Sequence, residues 1–151
     1  MKRRISISSD NNFLINKAEV NKLFFDLENN LKFHFSRIEV SFVNDDTILK
    51  INSEYLNHDW FTDIITFDYS QGSLIDCELI ISYDTAISNA KKYNVGINDE
   101  LIRLLIHGIL HVTGYDDKLT SEKIKMKKKE NTLVQIYSDK YWILGNDSKS
   151  C

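Results

Sequence analysis

The segment from residue 98 to residue 117 is the part of this sequence that most restricts how the chain can fold and what it can do. Residues 101–113 are almost entirely apolar, which predicts a helix that is buried on all sides. Asn98 is the predicted N-cap, and Gly114 is placed to end the helix. His107 and His111 interrupt the apolar run four residues apart, so they lie on one helix face. Two imidazoles on one face of a helix can bind a single metal ion.

The residues after the second histidine extend this pattern. A left-handed turn at Gly114 would direct the chain back, so that a residue just beyond it can reach the same ion. Zinc peptidases of the metzincin type carry H-E-x-x-H-x-x-G-x-x-H, and His107, His111, Gly114 and Asp117 fall on those offsets. Position 108 is glycine, where the peptidases have the glutamate that acts as general base. The pattern therefore favours a zinc hydrolase that is not a peptidase.

We predict His107, His111 and Asp117 as the ligands of one zinc ion per chain, because imidazole and carboxylate are both accepted zinc ligands. The third ligand has alternatives on sequence grounds. Asp116, His58 or a water molecule are the alternatives, and Asp117 is preferred because its offset matches the zinc motif. The competing interpretation is a pair of core histidines that are satisfied by hydrogen bonds.

Three segments resemble the signatures of the YbeY family. The members of that family are zinc-dependent, single-strand-specific endoribonucleases that act in the maturation of bacterial ribosomal RNA. Residues 107–116 (HGILHVTGYD) are similar to the family's long metal motif. Residues 52–67 (NSEYLNHDWFTDIITF) are similar to its N-x-x-Y-R-x-x-D-x-x-T-D-V-L-S-F stretch, and residues 77–82 (CELIIS) to its G-D-I-x-I-S strand. The order and spacing of the segments fit the family over essentially the whole chain.

The sequence also departs from the family pattern at four positions. Asp117 stands where the family usually has a third histidine ligand, and Leu56 replaces an arginine that is thought to serve RNA binding. Cys77 and Glu78 replace the glycine and aspartate of the strand motif. These changes concern the third metal ligand and the contacts with RNA.

The resemblance implies a metal-dependent hydrolase that acts in 16S ribosomal RNA 3′-end maturation and in ribosome quality control. Its implied partners are single-stranded ribosomal RNA and the ribosome or its small subunit, with no DNA and no membrane. Two alternatives from other classes stay open. The chain could be a zinc-containing ribosome assembly factor without significant cleavage activity, or a metallohydrolase of another substrate class, such as peptides or small esters.

Hydrophobic periodicity predicts an α+β fold with about four strands and about five helices. Residues of alternating polarity predict strands near 5–7, 38–43, 63–69 and 77–82, the last two joined as a hairpin in which Gly72 takes a positive φ. Helical spacing predicts helices near 16–31, 84–93 and 98–113, a helix over about 48–55 after a turn and cap at 44–46, and a last helix over about 122–137 after Thr120 and Ser121. We expect one domain over residues 1–144, with a zincin-like metal helix and a mixed sheet, and a loose polar tail over residues 145–151.

Composition limits the setting rather than the chemistry. The content of 42% hydrophobic and 27% charged residues is ordinary for a soluble globular chain. Cys77 and Cys151 form no disulfide framework, and no signal peptide or membrane-length run is visible, so we expect a cytoplasmic protein. The net charge of −3 means that any groove for RNA must be local.

Several other polar residues have both a structural and a functional interpretation. Asp63 and Glu78 could orient a ligand histidine, accept a proton from zinc-bound water, or cap turns, and we assign neither as a catalyst. His34 and His58 are interpreted as surface histidines. The final helix carries a lysine run that is solvated in most proteins but could bind phosphates near a nuclease site: Lys123, Lys125, Lys127, Lys128 and Lys129.

Overall fold

Alternating apolar residues build a four-stranded mixed sheet, and five helices cover it in the α+β arrangement predicted from the sequence. The computed structural model describes residues 3–10, 12–57 and 62–145. In chain order, the elements are β1 (Arg4–Ser9), α1 (Lys17–Leu31), β2 (His34–Val43), α2 (Asp45–Leu56), β3 (Ile64–Asp68), β4 (Leu74–Ser82), α3 (Tyr83–Tyr93), α4 (Ile97–Val112) and α5 (Thr120–Tyr137).

The strand order in the sheet is β1-β2-β4-β3. β1 and β4 both pair with β2 in parallel, with Ile5 opposite Ile38 and Ile38 opposite Cys77. β3 pairs with β4 in antiparallel register, as the predicted hairpin requires, and Gly72 in its turn has a φ of +72°. The short strand β3 is therefore an edge strand, and it lies against α4.

The main core lies on one face of this sheet. Inward residues of β2 and β4 pack there against α1, α3, α4 and α5. On the opposite face, Ile48 of α2 packs with Ile65 and Ile80 in a second, smaller apolar cluster. Burying each such Leu or Ile side chain contributes roughly 1.5–3 kcal/mol, so these two clusters fix the layers of the fold.

Helix α4 is buried on nearly all sides, as its continuous apolar sequence predicts. Leu101, Leu105 and Ile109 are completely buried, and the helix contacts β3, β4, α3 and α5. Gly108 allows α4 to approach the sheet closely. A Cβ atom at Gly108 would lie 2.9 Å from Leu79 Cδ2 and 3.2 Å from Ile64 Cδ1.

The predicted N-cap of α4 is wrong by two residues. The N-cap is Gly96, and Asn98 lies inside the first turn with 2% of its surface exposed. The Asn98 amide instead binds the C-terminal segment: Nδ2 donates to the Tyr141 carbonyl oxygen at 2.9 Å, and Oδ1 accepts from the backbone N–H groups of Ile143 and Leu144 at 2.6 and 3.0 Å. An asparagine side chain can bind the free backbone N–H groups at the start of a helix or the backbone of a neighbouring segment. Here tertiary packing places the C-terminal segment beside Asn98, so the side chain binds that segment.

The C-terminal segment stays in contact with the domain through Gly145. Ile15 and Leu144 form an antiparallel bridge, and the backbone N–H of Gly145 donates to the Leu14 carbonyl oxygen at 2.7 Å. The rest of the expected loose tail, residues 146–151, lies outside the described residues.

We predict that Asn98→Ala destabilises the protein by roughly 2–3 kcal/mol, because it leaves buried backbone groups of Tyr141, Ile143 and Leu144 without this partner. Urea denaturation followed by circular dichroism measures the change. Asn29→Ala is the matched control, since Asn29 is an exposed asparagine within α1 and should change stability by no more than about 0.5 kcal/mol. Equal stability of the two variants would contradict the assigned role of Asn98.

Candidate functional site

The end of α4 and the turn after it place the predicted metal ligands. His107 is partly buried, with 36% of its side chain exposed, and His111 is exposed one turn later on the same helix. The helix ends at Val112, and Gly114 takes a φ of +111°, the positive value predicted for this position. The backbone N–H of Tyr115 donates to the Leu110 carbonyl oxygen at 3.0 Å, which directs the chain back along the helix end.

Two adjoining cavities meet at this helix end. The smaller cavity, of about 260 Å³, is lined by His107, His111 and Asp117 together with residues of α2 and of the segment before and within β3. The larger cavity, of about 470 Å³, extends between α3, α4 and α5 and is also lined by His107 and Asp117. The structure therefore brings all three predicted ligands to the wall of one cavity.

The two neighbouring aspartates have different surroundings. Asp116 Oδ1 accepts hydrogen bonds from the backbone N–H groups of Asp117 and Lys118, at 2.7 and 3.0 Å, and so shapes the turn. Asp117 is exposed and lines both cavities. This difference favours Asp117 over Asp116 as a ligand. His58, the other protein alternative, lies outside the described residues.

His107 is held by a carboxylate from the next helix. Its Nδ1 lies 2.7 Å from Oε1 of Glu130 in α5. Because the Glu130 carboxylate can only accept, Nδ1 must carry the proton and donate. The unprotonated Nε2 is then the nitrogen available to a metal ion, and a carboxylate partner of this kind commonly orients a ligating histidine.

Glu130 has three nitrogen partners although only 3% of the residue is exposed. Oε2 accepts from Arg103 Nη1 at 2.7 Å and from Lys127 Nζ at 3.0 Å, while Oε1 accepts from His107. Burial alone would raise the pKa of Glu130, but the hydrogen bonds from His107, Lys127 and Arg103 outweigh it and lower the pKa to about 2. The hydrogen bond to Glu130 in turn raises the pKa of His107, against the opposing effect of burial.

The side chains of His107, His111 and Asp117 are of the types that bind zinc, but they are not arranged as a complete metal site. Two imidazoles and a carboxylate are zinc ligands, and the fixed tautomer of His107 suits ligation. Within residues 3–10, 12–57 and 62–145, however, no group of three His, Cys, Asp or Glu side chains is arranged to hold a metal ion. Binding would therefore require side-chain movement of the exposed His111 and Asp117.

The remaining residues singled out in the sequence fall into two groups. Asp63 lines the larger cavity, and Leu56 lines the smaller one. Glu78 lines neither cavity and accepts from the Tyr69 hydroxyl at 3.4 Å. Cys77 is fully buried, and burial raises the pKa of its thiol to about 12, so it is an inert core residue. His34 is exposed on β2, as predicted.

The lysine run of α5 divides between the site and open solvent. Lys123 and Lys127 line the larger cavity, whereas Lys125, Lys128 and Lys129 line neither cavity. Part of the run therefore lies beside the predicted metal ligands.

Sequence reasoning missed Glu130 and Arg103. A signal for Glu130 exists, because it falls on the buried face of α5 at helical spacing with Met126, Leu133, Val134 and Tyr137. A carboxylate at a core position of an amphipathic helix needs a buried partner. Arg103 gives the complementary signal, because a single charged residue within the apolar run of α4 also needs a partner of opposite charge.

Comparisons with known proteins identify the family to which this chain is similar. The sequence model of the family described as Endoribonuclease YbeY matches residues 5–138. A protein named Endoribonuclease YbeY from Azobacteroides pseudotrichonymphae is 49% identical over 94 residues, which cover 62% of this chain and 68% of that protein. The protein of the same name from Parabacteroides distasonis is 46% identical over 99 residues, covering 66% and 70% of the two chains.

A solved structure is also similar in fold. The solution structure of TM1509 from Thermotoga maritima superposes with a TM-score of 0.61 at 24% sequence identity, covering 95% of this chain and 97% of that one. At this identity the likeness concerns the fold alone. No helix in the described part of the chain is long and apolar enough to span a membrane.

We predict that Glu130 makes the metal-free protein lose stability in acid. Its pKa is lowered from 4.5 to about 2, so the folded state is stabilised above pH 4.5 and loses this stabilisation as the pH falls towards 2. Urea denaturation of chelator-treated protein at several pH values should show this loss in the wild type, and the loss should be smaller in Glu130→Gln. Parallel pH profiles for the two proteins would contradict the assigned charge network.

Proposed function

Because the chain belongs to the YbeY family, we propose that it is a zinc-dependent endoribonuclease that cleaves single-stranded ribosomal RNA. The observation that carries the proposal is the convergence of His107, His111 and Asp117 on one cavity, at the end of a helix that lies within the residues matched by the family model. In this proposal the three side chains hold one zinc ion per chain, and a fourth position stays open to water or to a phosphate oxygen.

The protein's own contribution begins with the pairing of His107 and Glu130. The carboxylate keeps the proton on Nδ1 and thereby presents Nε2 to the ion. His111 and Asp117 approach the same cavity from the last turn of α4 and from the turn after it. A zinc ion bound there would supply an acidified water molecule and positive charge opposite the scissile phosphate. The nucleophile would be either water or the adjacent 2′-hydroxyl, and the bond from phosphorus to the leaving oxygen of the RNA backbone would break as the new P–O bond forms.

The shape and charge of the site support a single-stranded polyanion as substrate. Two cavities meet at His107 and Asp117, so a strand could place one group in each cavity. In a duplex the bases stay stacked and paired, whereas an unpaired strand can extend individual bases into pockets. Lys123 and Lys127 add local positive charge to a chain of net charge −3.

The biological setting follows from the resemblance described above. We propose that the RNA is the 3′ end of 16S ribosomal RNA, and that the protein acts on the ribosomal small subunit in the cytoplasm.

We predict that Asp117→Ala lowers zinc affinity by more than about 100-fold and abolishes cleavage of a labelled single-stranded RNA. The loss of a residue that only supports a metal ligand lowers metal affinity by about 10–100-fold, and the loss of a ligand itself should lower it further. His111→Ala should do the same. Asp116→Ala is the matched control and should retain zinc, since its carboxylate binds backbone N–H groups of the turn. Zinc is measured by elemental analysis and by competition with a chromogenic chelator.

Two outcomes would contradict the proposal. Equal zinc affinity of Asp117→Ala and Asp116→Ala would reject Asp117 as the third ligand. Full zinc occupancy of the wild type without any cleavage of single-stranded RNA would reject the enzymatic assignment and favour a zinc-containing assembly factor.

A further inference from the structure

The larger of the two cavities has a size and lining that the metal chemistry does not use. It extends away from His107 and Asp117 between α3, α4 and α5, with a volume of about 470 Å³. Pockets for small organic groups span roughly 300–1,000 Å³. The cavity is thus large enough for one such group beside the proposed scissile phosphate.

One wall of this cavity is a network of hydrogen-bond acceptors. Asn89 of α3 donates from Nδ2 to Oδ2 of Asp63 at 3.3 Å. Asn89 also forms a side-chain hydrogen bond with Glu100 in the first turn of α4, a residue with 3% of its surface exposed. A carboxylate offers about four acceptor positions. The two carboxylates together therefore retain acceptor capacity beyond the bonds to Asn89.

This wall selects against a phosphate group. Asp63 and Glu100 line the cavity as carboxylates, whereas Asp117, which also lines it, is assigned to the zinc ion. The cations Arg103 and Lys127, which also line it, already bind Glu130. A phosphate placed against Asp63 and Glu100 would meet like charge, whereas a neutral group with N–H donors would satisfy these acceptors. Lys123 of α5 also lines the cavity and stays available to a phosphate outside this wall.

The rest of the lining suits a flat ring. Tyr93 at the end of α3 lines the cavity with 60% of its surface exposed, and Leu104 and Met126 add apolar surface. Unpaired RNA bases are recognised by stacking on aromatic side chains together with hydrogen bonds to their edges. Tyr93 can supply the first of these contacts, and Asp63 and Glu100 can supply the second.

We propose that this cavity binds one guanine base of the RNA substrate. The Watson–Crick edge of guanine carries adjacent N1–H and N2–H donors, which match the acceptors of Asp63 and Glu100. Tyr93 stacks on the base, and exposed Lys123 at the same cavity contacts the backbone phosphate. The proposal rests on the proposed endoribonuclease function and adds a base preference to it.

The test compares short labelled oligouridine strands that carry one central guanosine or one inosine, which lacks the N2 amino group. Affinity is measured by fluorescence anisotropy immediately after mixing with the zinc-loaded protein, before cleavage. Wild type should bind the guanosine strand about tenfold more tightly than the inosine strand, since the loss of one donor leaves a buried acceptor unpaired. Equal affinities in the wild type would overturn the proposal.

Variants assign the preference to named side chains. Glu100→Gln and Asn89→Ala should each reduce the guanosine preference to about twofold, with circular dichroism confirming that each variant is folded. Tyr93→Ala should weaken binding of both strands about tenfold, because it removes the stacking surface. Trp142→Ala is the matched control, since Trp142 is 55% exposed and lines neither cavity. A preference unchanged in both Glu100→Gln and Asn89→Ala would overturn the assignment.

Failure of this proposal can be separated from failure of the proposed function. If the protein binds and cleaves the guanosine and inosine strands equally well, the guanine site is rejected and the endoribonuclease function is retained. If the protein neither binds nor cleaves single-stranded RNA, both the guanine site and the endoribonuclease function are rejected.

Discussion

The buried carboxylate of Glu130 is the interaction on which the geometry of the site depends. It lies between α4 and α5 with 3% exposure, and it accepts hydrogen bonds from His107, Arg103 and Lys127. A buried charge without partners would cost several kcal/mol, so the three donors are what make this position tolerable. Because one donor is a predicted metal ligand, the packing of α5 on α4 also determines the orientation of that ligand.

A second constraint is the close approach of α4 to the sheet at Gly108. A side chain at this position would collide with Leu79 and Ile64, and a glutamate would require both neighbours to move. Zinc peptidases of the metzincin type have their general base at the corresponding position. The packing that buries α4 therefore disfavours a glutamate side chain at position 108, where the peptidases have their general base.

Much of the fold follows from local sequence patterns. The alternating residues of β2 and β4 and the helical spacing in α1 and α5 predict elements that the structure contains, because each element buries one face. The order of the strands does not follow from periodicity, since pairing joins residues far apart in sequence. Asn98 shows the same limit on a smaller scale: a good capping residue is used instead to bind a segment more than forty residues away.

The candidate site likewise combines residues that local sequence patterns predict with residues that only the fold brings together. The spacing of His107, His111, Gly114 and Asp117 is local, and it predicts a shared position that the cavity geometry supports. Glu130 and the acceptor wall of Asp63, Asn89 and Glu100 come from separate elements. Helical spacing places Glu130 on the buried face of α5, but only tertiary packing determines which residues of other elements face it.

The most direct test of the account is the location of zinc by anomalous diffraction from crystals grown with the metal. We predict one ion per chain, about 2.0–2.2 Å from Nε2 of His107, from a ring nitrogen of His111 and from a carboxylate oxygen of Asp117. His107 Nδ1 should still donate to Glu130. An ion bound through Nδ1 of His107, or one held without Asp117, would contradict the account.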